Sequence, residues 1–263
     1  LSQKAFVEGS IGLITYCSLL KDISEFGPTE NRKNAHLLLE LLTPVVKSYC
    51  AEQGFQSVNL AMQVLGGAGY TDDFPIEQYL RDTRVNSIYE GTTTIHGMDL
   101  LGRKIPLENG LALKLFQKEI ETTLKEAFAI EETKEMAALL TGQLKGFEKV
   151  LQNHFRILKK SGPRHFLADA TLFLELFSLI TIAWIWLKAI VKLLENKGER
   201  NNECTFFNLG LCIDTSFIPF KSLPHIYVRL YMYIIPHISS QLALINNQAI
   251  SCVAYVYAGV ALG

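Results

Sequence analysis

A cluster of three glycines, Gly66, Gly67 and Gly69, is the feature that most limits how this chain can fold. It comes directly after a long helical pattern of apolar residues that ends at about Leu65. Glycine stops a helix readily because it adopts backbone conformations that other residues avoid. The chain therefore leaves the helix here, and the stretch from residue 63 to 96, QVLGGAGYTDDFPIEQYLRDTRVNSIYEGTTTIH, is the one least suited to a helical core.

Apolar residues at spacings of three, four and seven predict amphipathic helices before this stretch. The first helix is predicted over residues 2 to 22. The next segment, from Ser24 to Lys33, is predicted to be a solvated loop because it contains a glycine, a proline and mixed charges. Thr43 and Pro44 then suit the start of the long helix, because threonine can cap a helix and proline fits its first position.

After the glycines, the sequence predicts a turn and a short helix over Ile76 to Arg81. We expect the apolar residues that follow to return the chain to the interior and to deliver Glu90 there. A threonine run then offers cap oxygens for another helix, so Glu90 is predicted at or just before a helix start. The helix dipole lowers the pKa of such a carboxyl and burial raises it, so the sequence leaves the sign open. The interior positions are Val85, Ile88 and Tyr89, the caps are Thr92, Thr93 and Thr94, and the helix positions are Ile95, Met98, Leu101 and Ile105.

From about Gly110 the sequence becomes charged and helix-favouring, which predicts two solvent-facing helices of a bundle that end at Ser161-Gly162-Pro163. An apolar segment follows, but its unbroken run from Leu176 to Leu187 is shorter than the roughly 20 residues of a membrane-spanning helix. Its polar residues fall three, four or seven apart and draw one narrow stripe. We therefore predict a buried bundle helix and no membrane span. The stripe consists of Thr171, Glu175, Ser178, Thr181, Lys188 and Lys192.

Residues 201 to 263 form an atypical apolar tail with four charged residues in 63 positions, against 47 in the first 200. They show neither a helical nor an alternating period and no chemical motif. Three interpretations stay open: a mispacked or partner-covered extension, a membrane-seeking tail, or translation in the wrong reading frame.

The composition excludes some partners and a metal site. With 25 basic and 26 acidic residues the net charge is -1, so nucleic acid and acidic lipid are not favoured. Five widely spaced cysteines, without a CxxC or a histidine at metal-ligand spacing, indicate thiols in a reducing compartment, and we expect a cytoplasmic protein. The N-terminus has neither a signal peptide nor a starting methionine, which we interpret as the sign of a fragment.

Three features between residues 63 and 96 could carry chemistry. The glycine cluster is either a helix stop or a phosphate-binding turn. Arg81 and Asp82 are predicted to form a local ion pair that fixes a turn. Glu90 lies between Tyr89 and Gly91, where a ligand can approach the backbone closely, and hydroxyls follow it.

The run LGGAGYTDDFPIEQYLRDTRVNSIYEGTTTIHGMDLLGRK resembles the C-terminal helical domain of the acyl-CoA dehydrogenases, with a likeness that extends over about Lys33 to Lys104. Within that family the chain is similar to the long members with an additional C-terminal helical domain, such as the 3-methylmercaptopropionyl-CoA dehydrogenases. The resemblance implies an all-α fold with three parts. Residues 1–108 would be the acyl-CoA dehydrogenase C-terminal helical bundle, 109–200 a second helical bundle, and 201–263 the atypical apolar tail.

The resemblance also implies an FAD-dependent α,β-dehydrogenation of an acyl-CoA thioester. In the family, the residue at the position of Glu90 removes the α-proton, and the backbone N–H at that position helps to hold the thioester oxygen as negative charge develops. The β-hydrogen leaves as hydride to FAD, which carries the redox chemistry. Tyr89 and Gly91 would line the acyl pocket and Thr92 and Thr94 would meet the FAD diphosphate, while Gln63, Gly66 and Gly67 would reach the FAD of a neighbouring subunit.

These implied roles predict a homo-oligomer that passes its electrons either to oxygen or to electron-transferring flavoprotein. Two residues depart from the family, which often has a small residue or Gln at the position of Thr94 and Gln at that of His96. The N-terminal helical domain and the middle β-domain of the family are not in this sequence. We therefore expect the chain alone neither to retain FAD nor to oxidise acyl-CoA. The alternative function is a non-catalytic helical remnant that at most associates with intact relatives.

Overall fold

The computed structural model describes residues 2–195, 237–243 and 245, which are almost entirely helical and contain no β-strand. The prediction of an all-α fold is confirmed. Most of the predicted tail, residues 201–263, lies outside the described residues. The α-helices are α1 Ser2–Phe26, α2 Thr29–Leu65, α3 Ile76–Arg84, α4 Thr93–Asp99, α5 Leu107–Phe128, α6 Lys134–Ser161, α7 Pro163–Phe166 and α8 Ala170–Glu195, and residues 237–243 are also helical.

The predicted loop from Ser24 to Lys33 is wrong, because Gly27 and Pro28 alone separate α1 from α2. The Gly27 N–H donates to the Ile23 carbonyl at 3.0 Å, and a Cβ on this glycine would lie 2.6 Å from the same oxygen. A glycine is therefore needed at this sharp turn. The charged residues that follow form the exposed first turns of α2, so their polarity reflects a solvated helix face and not a loop.

The predicted helix start at Thr43 and Pro44 is also wrong, since α2 continues through both residues. The Thr43 hydroxyl donates to the Leu39 carbonyl at 2.7 Å, as side chains do inside a helix. A proline in a helix interior costs about 3 kcal/mol. Burying one leucine or valine side chain contributes about 1.5–3 kcal/mol, and the neighbouring Leu41, Leu42 and Val45 are all fully buried. Their burial outweighs the missing backbone hydrogen bond.

The chain changes direction between α4 and α5 through a π-helical turn, Leu100–Lys104, and a kink at the start of α5. Glu108, Asn109 and Gly110 all have positive φ there, at 49°, 56° and 81°. The predicted boundary between residues 108 and 109 falls within this kink. The division into two domains stays a prediction, because the buried side chains on both sides form one continuous hydrophobic cluster.

The most buried element is α8, which packs against α1, α2, α4, α5 and α6. By length and composition alone it could cross a membrane, but 83% of its apolar window is buried inside the protein, as in the core helix of a bundle. Ser178 and Thr181 of the predicted polar stripe are buried, and their hydroxyls donate to helix carbonyls at 2.7 and 2.8 Å. Lys188 and Lys192 pair with glutamates of α5 at 3.4 and 3.3 Å. Ser178 and Thr181 thus satisfy their hydroxyl groups inside the core, whereas Glu175 is exposed and the two lysines are half-buried.

Candidate functional site

The candidate site lies where the loop between α3 and α4 meets the middle of α2. Glu90 has φ 55° and Gly91 has φ 105°, so two successive residues with positive φ make the turn into α4. Residues other than glycine rarely adopt such positive φ values. The energetic cost of this backbone conformation is tolerated mainly where the surroundings fix the backbone. The turn gathers five predicted site residues in one place, namely Tyr89, Glu90, Gly91, Thr92 and Thr94.

The prediction that Val85, Ile88 and Tyr89 return the chain to the interior is wrong. Their side chains are half-exposed, and the Glu90 side chain is 67% exposed. This loop packs on α2 and α3 but leaves these side chains largely open to solvent. Helical spacing reveals that residues share an apolar face, but it does not reveal what covers that face.

Lys47 of α2 is the partner of the Glu90 carboxylate, with 2.5 Å between Nζ and Oε2. The hydrogen bond and the positive charge of Lys47 lower the pKa of Glu90. The sign of this pKa shift, which the sequence leaves open, is therefore decided by a cation on a different helix. At neutral pH the carboxylate is ionised and can accept a proton.

The threonine run begins α4, but the predicted capping role of its side chains is wrong. Thr92 is the N-cap residue, with extended backbone, yet its hydroxyl forms no capping hydrogen bond among the described residues. The hydroxyl of Thr93 instead donates to Glu52 of α2 at 2.6 Å. Thr92 and Thr94 are exposed, so their hydroxyls are open to a ligand.

Glu52 connects three elements around the turn. In addition to Thr93 of α4, it binds Arg84 of α3 at 3.3 Å, and the Arg84 guanidinium lies 5.2 Å from the centre of the Phe55 ring. The charge of Glu52 also adds to burial in raising the pKa of Glu175 on α8. This network fixes both ends of the loop that carries Glu90.

His96 lies against Gly91 from the first turn of α4. A Cβ on Gly91 would come within 3.0 Å of the imidazole ring. Burial and the charge of Lys47 lower the pKa of His96, while a hydrogen bond to the Gly91 backbone and the charge of Asp99 oppose them. Gly91 is therefore required both by its φ and by the close approach of this ring.

The predicted residues Gln63, Gly66 and Gly67 lie apart from this turn, at the C-terminal end of α2. Sixteen residues separate Lys47 from Gln63, which is about 24 Å along a helix. All three are exposed, and no described atom lies within 4 Å of a Cβ built on Gly66 or Gly67. Gly69 differs, because its Cβ would lie 2.8 Å from the Met62 carbonyl oxygen. Gly69 is thus required by close packing against α2, whereas the space beside Gly66 and Gly67 is open.

The predicted ion pair between Arg81 and Asp82 is wrong. Arg81 binds Glu77, one helical turn earlier on α3, at 2.9 Å. The side chains of neighbouring residues on a helix point in different directions, whereas residues four apart share a face. An open groove of about 640 Å³ lies beside this pair, with apolar walls that include Phe55, Met62 and Leu80.

The sequence reasoning missed the residues that hold the site from α2 and α3, namely Lys47, Glu52 and Arg84. Their partners are 32 to 43 residues away in the chain, and no local motif marks them. It also missed Gly97, whose Cβ would lie 2.7 Å from the Ala170 carbonyl oxygen. This contact brings α8 directly against the helix that follows Glu90. In the described part of the chain, no group of three His, Cys, Asp or Glu residues could hold a metal ion.

Two family models match the chain. The model described as "Acyl-CoA dehydrogenase, C-terminal domain" matches residues 29–105, and the one described as "Acetyl-CoA dehydrogenase C-terminal like" matches residues 116–209. The first match includes α2, α3, the Glu90 turn and α4, and the second begins within α5.

Curated relatives agree with these matches. A broad-specificity linear acyl-CoA dehydrogenase of Mycobacterium tuberculosis is 32% identical over 173 residues, covering 60% of this chain and 28% of that protein. The 3-methylmercaptopropionyl-CoA dehydrogenase of Ruegeria pomeroyi is 37% identical over 123 residues, covering 47% of this chain and 21% of that protein. The chain thus spans about a quarter of the length of the curated relatives it matches.

The fold also has a counterpart among solved structures. The crystal structure of Caenorhabditis elegans ACDH-11 in complex with C11-CoA matches with a TM-score of 0.55 at 21% identity, covering 80% of this chain and 34% of that one. At this identity the match concerns the fold alone. The two family models and the curated relatives show that the chain belongs to the acyl-CoA dehydrogenase family through its C-terminal helical domains.

Proposed function

We propose that this chain supplies the C-terminal helical part of an FAD-dependent acyl-CoA dehydrogenase, in which Glu90 is the base that removes the α-proton of an acyl-CoA thioester. The observation that carries the proposal is the turn at Glu90 and Gly91. It presents an ionised carboxylate with 67% side-chain exposure. A general base needs its unprotonated form at the working pH and a free approach to the proton, and this carboxylate has both.

The residues near the turn fit the other roles implied by the family. We assign to the backbone N–H at Glu90 the role of holding the thioester oxygen as it gains negative charge, while the His96 ring fills the space beside Gly91. Tyr89 is half-exposed next to the carboxylate, and its hydroxyl donates to Asn86 at 3.0 Å, which fixes the ring as a wall of an acyl pocket.

The described residues also fit FAD in two separate places. Exposed hydroxyls of Thr92 and Thr94 can donate to a diphosphate, and the bare backbone at Gly66 and Gly67 lets a ligand approach closely. When bound, FAD supplies the acceptor for the hydride that leaves the β-carbon. We assign Thr92 and Thr94 to the FAD of the same site.

The distance between these two places supports the proposal of a homo-oligomer. Because Gln63 lies about 24 Å along α2 from Lys47, with Gly66 and Gly67 just beyond the end of α2, we assign these three residues to the FAD of a neighbouring subunit. The free thiols of Cys17 and Cys50 support a reducing, cytoplasmic location. Electron-transferring flavoprotein is our proposed electron acceptor, and oxygen is the competing one.

The test is the Glu90→Gln variant in a protein that also contains whatever its gene encodes upstream of Leu1. We expect the variant to keep its flavin absorbance and to lose acyl-CoA-dependent flavin bleaching, because glutamine cannot accept the α-proton. Glu131→Gln is the matched control, since Glu131 is a surface carboxylate paired with Lys134. Bleaching at the control rate in Glu90→Gln would refute the role of Glu90 as base.

A second measurement separates the enzyme from a non-catalytic remnant. We expect the 263-residue chain, expressed alone, to purify without flavin colour, because the family's N-terminal helical domain and middle β-domain, which supply much of the FAD contact surface in the family, are not in this sequence. Stoichiometric flavin absorbance in that sample would contradict this expectation. Absence of turnover in the extended protein, with flavin bound, would favour the remnant.

A further inference from the structure

The ion pair between Lys47 and Glu90 joins two segments that are 43 residues apart. The side chains are 37% and 67% exposed, and such exposed pairs add little to the stability of a fold. Glu90 nevertheless keeps a backbone conformation that is unfavourable for a residue with a side chain. Because this contact contributes little to folding but fixes the Glu90 carboxylate, its role is to be sought in the function of the site.

Lys47 is the cation that directly contacts this carboxylate. Arg84 of α3 is bound to Glu52, and Glu52 also accepts a hydrogen bond from Thr93. From α4, His96 lies against Gly91, and burial and the charge of Lys47 hold its pKa below the usual range. Asp99, also on α4, pairs with Arg103 at 2.6 Å. Arg84, Glu52 and Asp99 therefore have their own partners among the described residues, and the lowered pKa of His96 favours its neutral form.

We infer that Lys47 is a positioning residue for Glu90, and that its ammonium group holds the carboxylate in place and ionised when an acyl chain covers the turn. This inference rests on the proposed function of Glu90 as base. Lys47 contacts the Glu90 carboxylate, and in this inference it acts through Glu90. It reaches the turn from α2, which is anchored by fully buried leucines within two turns of Lys47.

The physical reason is the change of environment on substrate binding. Covering a carboxylate with apolar groups raises its pKa, because burial disfavours the charged form. A protonated Glu90 could not remove an α-proton. An ammonium group in contact with the carboxylate opposes this change, and it becomes more effective as water is excluded. Lys47 would thus extend the activity of the base to lower pH.

The first test uses the 263-residue chain itself and does not depend on catalysis. The Glu90 carboxyl carbon is titrated by NMR in glutamate-labelled protein, with Glu90→Gln to assign its signal. We expect the midpoint to move to higher pH in Lys47→Met and to stay near the original in Lys47→Arg. Lys33→Met is the matched control, because Lys33 forms a comparable exposed pair with Glu108 at 3.1 Å, about 21 Å away along the same helix.

An unchanged Glu90 midpoint in Lys47→Met would overturn the inference. Circular dichroism verifies that each variant is folded. If Lys47→Met does not fold, Lys47→Gln replaces it as the second neutral variant. Both neutral variants remove the charge, so either one gives a decisive result.

The second test measures kcat/KM against pH in the extended protein with bound FAD. We expect Lys47→Met to shift the acid limb to higher pH, with loss of activity on that limb and recovery at high pH, and Lys47→Arg to restore the profile. A purely structural role would lower the activity equally at all pH values. If Glu90→Gln is inactive and the pH profile of Lys47→Met is unshifted, the inference about Lys47 is overturned, but the proposed function of Glu90 stands. An active Glu90→Gln overturns the proposed function as well.

Discussion

Gly97→Ala tests the contact between α4 and α8 that supports the candidate site. Gly97 is buried, and a Cβ at this position would lie 2.7 Å from the Ala170 carbonyl oxygen and 3.0 Å from the Thr171 nitrogen. Both are backbone atoms near the start of α8, so neither can move aside by a change of rotamer. The added methyl group must push the two helices apart.

The size of the effect follows from two opposing terms. Overpacking in a well-packed interior costs about 1–3 kcal/mol. Alanine is better than glycine in a helix by about 0.8–1 kcal/mol. Gly97→Ala should therefore destabilise the protein by about 0–2 kcal/mol. Gly54→Ala, within α2, provides the matched control, because no described atom lies within 4 Å of its Cβ, and it should stabilise by about 1 kcal/mol.

Urea unfolding followed by tryptophan fluorescence measures both variants. The two tryptophans of the chain, Trp184 and Trp186, are buried in α8 and report its environment directly. We expect the midpoint to fall for Gly97→Ala and to rise for Gly54→Ala, which separates the two variants by about 1–3 kcal/mol. Equal stabilisation of both variants would show that α4 and α8 do not approach as closely as the structure has them.

Three further predictions concern polar and titratable groups of the bundle. Thr123→Val should destabilise the protein by about 1–3 kcal/mol in urea unfolding, because the buried Trp184 Nε1 donates to this hydroxyl at 2.9 Å and would lose its acceptor. Burial and the neighbouring Cys50 raise the pKa of the Cys17 thiol to about 12, so iodoacetamide at pH 8 should label Cys17 slowly until the protein is unfolded, as measured by peptide mapping. Burial and the charge of Glu52 raise the pKa of Glu175 above 4.5. Its ionisation therefore weakens the fold as pH rises past that value, and Glu175→Gln should be more stable than wild type at pH 7 but equal to it below about pH 4.5.

The sequence predicts which residues form helices better than where the helices begin. Local patterns suffice for the glycine stop after Leu65 and for the end of α6 at Ser161, because both depend on backbone preferences of the residues themselves. They fail at Pro44 because its local cost is offset by the burial of neighbouring leucines against other helices. That burial is a property of the tertiary structure, and no window of sequence contains it.

The same distinction applies to the candidate site. Glu90, Gly91 and Thr92 are contiguous, so a motif can mark them, and the structure shows the turn that they form. Lys47 belongs to a helical stretch in which a lysine is an ordinary surface residue. Only the packing of the turn against α2 brings its ammonium group to the carboxylate.

The exposure of the Glu90 turn shows what a helical pattern can establish. Ile95 and Met98 of α4 are 52% and 40% exposed, whereas Leu101 and Ile105, further along the same predicted spacing, are fully buried. The spacing of the apolar residues is continuous, but their burial is not, because α8 contacts α4 at Gly97 and leaves Ile95 and Met98 largely exposed. A spacing rule assigns all four residues to one apolar face. Packing divides that face into a part that holds α4 in the bundle and a part that stays exposed. The exposed apolar side chains that follow Glu90 in the sequence therefore belong to an element whose other end is fixed in the core.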